Sequence, residues 1–99
     1  MDILSEIAAV FARHVSKDGF HAAPIERVTL ARSSTVTMPM PNVYRPQVCL
    51  VAQGQKEVTL GDRVFSYAPG RYGIVTYDLP VTGQVVEATP DKPYLCLFL

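Results

Sequence analysis

The sequence is short of charge of one sign, of histidine, of cysteine and of long apolar runs. Each shortage excludes something. Nine basic residues balance nine acidic ones, for a net charge of zero over 99 residues. Phosphate affinity comes from clustered Lys and Arg, so this balance argues against a free-standing nucleic-acid binder. The longest apolar runs, 48–52 and 94–99, fall far short of the about 20 residues a membrane-spanning helix needs. Asp2 and Glu6 stand where a secretory signal would be positive, and the expected compartment is the cytoplasm. His14 and His21 are the only histidines, too few for a histidine metal cluster or relay. Cys49 and Cys96 lie inside apolar runs, with no CxxC pattern and no histidine nearby. They read as buried thiols packed as small hydrophobes, ahead of a disulfide, a zinc site or a catalytic thiol. GxSxG, P-loop and GxGxxG motifs are absent, as are repeats and low-complexity tracts.

What remains is one globular domain. Hydrophobic residues make up 48% of the chain and charged residues 18%, and a chain of this length buries roughly 65% of its unfolded surface. Residues 2–15 predict a helix, capped by Asp2, with Ile3, Ile7, Val10 and His14 on one stripe and Leu4, Ala8, Phe11 and Val15 on another. Gly19 marks its stop. The period then changes to two. A strand is expected at 28–33, and Met38-Pro39-Met40-Pro41 reads as an extended connecting arm. Strands are expected at about 47–53, 56–60, 63–67, 72–77, 84–88 and 94–99, punctuated by Gly54, Gly61-Asp62, Pro69-Gly70, Leu79-Pro80 and Pro90. Short strands at such intervals indicate a sandwich, barrel or jelly roll.

The clearest hairpin has Gly61-Asp62 as its turn, since a glycine opening a two-residue loop suits a primed turn. That loop pairs Leu60 with Arg63, Val58 with Phe65 and Lys56 with Tyr67 on one face, and Thr59 with Val64 and Glu57 with Ser66 on the other. The first face is larger and more apolar and is expected to point inward. Lys56 and Tyr67 then fall at its far end, where polar heads either reach a cavity or snorkel to the rim. Arg45 is expected in a surface salt bridge ahead of contact with an anionic effector, and Asp78 in a turn cap. No general base oriented by a second group is apparent, so no catalytic residue is assigned.

The spacing from Gly54 through Gly61-Asp62 and Pro69-Gly70 to Leu79-Pro80 resembles the cupin pattern. Metal-binding cupins carry HxHxxxE, six further residues and glycine. Here Gln47 stands where that glutamate would be, and Pro41 and Val43, or Met40 and Asn42 with the longer spacing, replace the histidines. The second motif's histidine would fall in about 80–85, which has none. The resemblance therefore implies the scaffold without the metal, and no cofactor is expected. A closer resemblance is to the N-terminal domain of AraC-type transcriptional regulators. It rests on Asp18-Gly19-Phe20-His21, on 44–56 with its Ala52-Gln53-Gly54-Gln55-Lys56 ending, and on 78–88 with its Asp78-Leu79-Pro80 opening.

That resemblance implies a mainly β, cupin-like jelly roll or β-barrel with one N-terminal helix, spanning 1–99 as a single effector-binding and dimerisation domain. The β-rich part is 20–99. The chain ends inside the apolar run 94–99, and the expectation is a C-terminal truncation, with linking helices and a helix-turn-helix domain following Leu99. The implied partners are a small-molecule effector, a second copy of the chain, and DNA only through that further domain; no membrane is implied. If Gln47 points inward like its cupin counterpart, Cys49, Val51 and Gln53 do too. Gln47, Gln53, Lys56, Tyr67 and Gln84 are the ligand-binding candidates. Two other readings stay open: a metal-independent cupin enzyme such as a sugar isomerase or epimerase, and a ligand-free oligomerisation module.

Overall fold

Apolar residues recur at helical spacing at the start of the chain, and there the chain is helical. The structure, a computed structural model, describes residues 3–23 and 26–99. Among these, the helix α1 covers Ile3–His14 and is followed by β1 (Gly19–Ala22), β2 (Thr29–Ser33), β3 (Met40–Tyr44), β4 (Gln47–Gln53), β5 (Gln55–Leu60), β6 (Arg63–Tyr67), β7 (Tyr72–Val75), β8 (Leu79–Glu87) and β9 (Tyr94–Phe98). Val15 N–H still donates to the Phe11 carbonyl at 3.0 Å, closing the last turn of α1. The expected cap at Asp2 lies outside the described residues.

The strands form two antiparallel sheets. One has the order β1-β2-β9-β4-β7 and the other β3-β8-β5-β6. They face each other without closing into a barrel. The five-stranded sheet is apolar on both faces. Leu30, Ala52 and Leu95 pack outward against Phe11 and Val15 of α1 and its extension. Ala31, Cys49, Val51, Tyr94 and Cys96 pack inward between the sheets. Burial on both faces explains why β4 and β9 read as continuous apolar runs rather than alternating ones. Of the two helix stripes, Phe11 and Val15 are buried, whereas Ile3 and Val10 stay exposed.

Three boundaries differ from expectation for physical reasons. First, Met40-Pro41, expected in a connecting arm, opens β3, pairing with Gly83 and Thr82. An edge strand tolerates proline because the missing N–H faces away from the ladder. Second, Leu79-Pro80, expected as a turn, opens the nine-residue β8, with Pro80 opposite Val43. Third, Gly19 opens β1, which pairs with β2 from Gly19↔Arg32 to Ala22↔Thr29. Between β2 and β3 the chain is irregular but tied to β8: Thr37 N–H donates to the Val85 carbonyl at 3.0 Å, and Val85 N–H donates to Thr37 Oγ1 at 2.9 Å.

Two glycines set the route of the chain. Gly61 has φ +63 and opens the β5–β6 turn, whose register from Leu60↔Arg63 to Lys56↔Tyr67 is the expected one. Gly54, at φ +76, is where the chain leaves one sheet for the other. A Cβ there would lie 2.6 Å from the Glu87 carbonyl oxygen and 2.8 Å from Tyr94 Cα. Gly54→Ala is therefore expected to lower the unfolding free energy by about 2–4 kcal/mol in chemical denaturation, combining left-handed strain with a backbone clash. At Gly61 an added Cβ meets nothing within 4 Å, so Gly61→Asn is expected to lower it by about 1 kcal/mol or less.

Candidate functional site

A cleft of about 590 Å³ opens between the sheets. Its floor is Lys56, only 4% exposed although it carries a charge-bearing amine. Alternation on β5 puts Lys56 and Val58 on the inward face, and both are buried. The Lys56 Nζ donates to Tyr44 Oη at 3.2 Å and lies 3.9 Å from Cys96 Sγ. It also lies over three rings, 4.8 Å from the centroid of Phe98, 5.4 Å from Tyr44 and 5.6 Å from Tyr67, an arrangement in which the ring faces attract the ammonium. Burial works to discharge the amine, but Cys96, Tyr44 and Cys49 outweigh it and hold the pKa above the ordinary lysine value. Lys56 is an ammonium.

One wall is aromatic. Phe98 meets Tyr44 edge-on at 6.5 Å and Phe20 at 6.1 Å, and Phe20, at the mouth, is 70% exposed. The other charges bordering the cleft are Asp18 and Arg32. Asp18 accepts from Arg32 Nη1 at 2.7 Å, from Ser34 N–H at 3.0 Å and from Ser34 Oγ at 2.8 Å. The Ser34 bonds, with the Arg32 charge adding to them, hold the Asp18 carboxyl below its ordinary range. Behind Lys56, the two free thiols are coupled. The hydrogen bond to Cys96 pulls the Cys49 pKa down to about 6, with the Lys56 charge assisting, and the same bond pushes Cys96 up. Burial pushes Tyr94 up.

The five sequence candidates do not all meet here. Lys56, Gln47 and Gln84 border the cleft. Gln47 shares the inward face of β4 with Cys49 and Val51. Gln84, however, pairs with Glu57, one step out of phase with the Lys56↔Val85 pair, which puts its side chain on the other face of the sheet. Tyr67 packs against the inner core beside Lys56, without bordering the cleft. Gln53 turns away: the register shift between Val51 and Gln53 ends the alternation, and its Nε2 donates to the Pro93 carbonyl at 2.8 Å. Arg45 pairs with Asp78 at 2.9 Å on the surface, and both are largely exposed. His21 lies on β1, with its ring nitrogen 2.8 Å from the Lys17 carbonyl. Reasoning from sequence missed Tyr44, Phe98 and the Asp18–Arg32 pair. Phe98 was within reach, being two residues from the inward-facing Cys96.

A second, more open groove of about 470 Å³ lies between Pro41, Thr59 and Pro80 and is lined by no charged side chain. Among the described residues, no three His, Cys, Asp or Glu side chains are grouped to hold a metal. The positions of the cupin metal pattern carry Gln47 and the neutral stretch 40–43. That donor set does not suit a transition metal. No helix among the described residues is long and apolar enough to cross a membrane.

The fold is cupin-like. It superposes on a cupin-2 domain containing protein from Shewanella frigidimarina with a TM-score of 0.58 at 7% identity, covering 100% of this chain and 92% of that one. Protein NMB1881 from Neisseria meningitidis gives a TM-score of 0.57 at 11% identity, with 100% and 97% covered. At such identities the likeness is one of fold. More particularly, residues 24–99 match the AraC-type transcriptional regulator N-terminus, and the chain belongs to that family. No curated protein matches the sequence significantly.

The thiol pair yields a pH dependence. In the folded domain Cys49 loses its proton near pH 6, whereas in the unfolded chain it keeps it until the ordinary thiol range. Between these values the unfolded state binds more protons, so stability rises with pH. Urea titrations at several pH values are expected to show this slope between about pH 6 and the ordinary thiol range, above which Cys96, pushed up, opposes it. Cys49→Ala combined with Cys96→Ala is expected to flatten it.

Proposed function

We propose that this chain is the regulatory module of an AraC-type transcriptional regulator and that it senses a small molecule bound in the cleft between the sheets. The observation that carries this reading is the cleft itself: about 590 Å³ in a domain of 99 residues, with an aromatic wall and a polar floor. Small β domains of this kind hold one ligand. Family membership supports the regulatory role. In such a role the effector acts by binding two conformations unequally. The bias passes to a second copy of the chain and to a DNA-binding helix-turn-helix domain. Helix α1, packed on the outer face of β4, is the relay. In this reading the role is regulatory rather than catalytic, and Asp18, the carboxylate bordering the cleft, is tied to Arg32 and Ser34.

A thermal-shift screen of a metabolite panel tests this. A ligand at a hundred times its Kd adds about 2.7 kcal/mol, enough to raise Tm by several degrees. Gly83 supplies the control. It borders the cleft, pairs with the inward-facing Val58, and would present a Cβ to open space. Gly83→Leu is expected to fill the cleft, leave the unliganded Tm intact and abolish the shift. A panel without any stabilising member, or a shift undiminished in Gly83→Leu, overturns the reading.

A further inference from the structure

We propose that the cleft takes a small organic monoanion, a carboxylate with an apolar body, whose charged group sits against the Lys56 ammonium. This deepens the effector-site reading and rests on it.

The argument is a charge audit. Three charged side chains border the cleft, and two of them, Asp18 and Arg32, neutralise each other at 2.7 Å. Lys56 is left. Neither ion pair among the described residues includes it, and its hydrogen-bonding neighbours are a phenol and a thiol. A cation that is 96% buried with no carboxylate partner is costly to maintain, and proteins keep such groups paired or put them to use. The three rings ease the burial but carry no countercharge.

The groups behind Lys56 able to supply that charge are the thiols, of which Cys49 is held low chiefly by its hydrogen bond to Cys96 and secondarily by the Lys56 charge. A carboxylate entering from the cleft side is a better partner. It accepts a charge-assisted hydrogen bond from Nζ, shorter and stronger than one to a neutral group. The single ammonium on the cleft floor selects a single negative group on the ligand. The ligand's body is fixed by the wall above: Phe98, Tyr44 and the exposed Phe20 and Met40 offer apolar surface, and bordering Thr37 and Gln47 add neutral polar groups.

The experiment uses isosteric pairs that differ in charge alone: phenylacetate against phenylacetamide, and hexanoate against hexanamide. Each is titrated into the domain by calorimetry and thermal shift. The carboxylates are expected to bind tighter than their amides by roughly tenfold to a hundredfold, the range of a hydrogen bond to a charged group. Lys56→Met should level each pair while holding or raising the Tm of the unliganded domain, because a buried charge is replaced by an apolar chain of similar length. Lys56→Gln should level the pairs too, and serves where the methionine variant does not fold. Amides that bind as well as the acids overturn the monoanion assignment and leave the effector site standing. A preference for the acids that survives in both variants also overturns it, by placing the anion elsewhere. Absence of binding by every member overturns the monoanion assignment, and the effector site is then decided by the metabolite panel alone.

Discussion

The pairing of β9 between β2 and β4 is the constraint on which the rest of the molecule depends. Its five residues supply both cores. Leu95 faces the helix side, while Tyr94 and Cys96 face the space between the sheets. Phe98, on the same inward stripe, reaches the cleft and lies over the Lys56 ammonium. Because side chains alternate strictly along a strand, one slip in this ladder would move the aromatic wall to the helix side and Leu95 and Leu97 into the cleft. The neighbouring ladders guard against that. Thr29↔Phe98 through Ser33↔Tyr94 on one flank and Cys49↔Phe98 on the other fix β9 twice over.

Lys56 belongs to the opposite sheet, and its environment exists because the two sheets meet face to face. Tyr67 reaches it across the hairpin, Tyr44 comes from β3, and Cys96 and Phe98 come from β9. The pKa of the amine is held up because Cys96, Tyr44 and Cys49 outweigh the desolvation. A polar network assembled from four strands of two sheets is also a statement about folding order, since its contacts form only after the sheets have packed.

Much of this could be read in the sequence, and the failures have physical causes. The β5–β6 register followed from Gly61-Asp62 because a two-residue turn leaves no freedom in pairing. The span 47–53 for β4 and 63–67 for β6 followed from apolar runs bounded by glycine. Prolines misled at Pro41 and Pro80, where an edge position and a strand end removed the usual penalty. Of the candidate residues, Lys56 was placed at the cleft by the hairpin pairing and Gln47 by the cupin resemblance. Gln53 was not, because a bulge breaks alternation without a mark in the residue pattern. Gln84 was out of phase with Lys56, a matter of long-range register that local spacing does not encode. Tyr44 was hidden by its proline-rich surroundings.

The irregular stretch between β2 and β3 gives the cleft unequal sides. The sheets that form its walls are full ladders. The rim is held by the two bonds of Thr37 to Val85 and by those of Ser34 to Asp18. Each such bond contributes about 1 kcal/mol net, so the rim can open at a small fraction of the free energy that global unfolding requires. Local opening is thereby separated from the integrity of the domain: the edge can yield while the walls that define the shape of the cleft stay fixed.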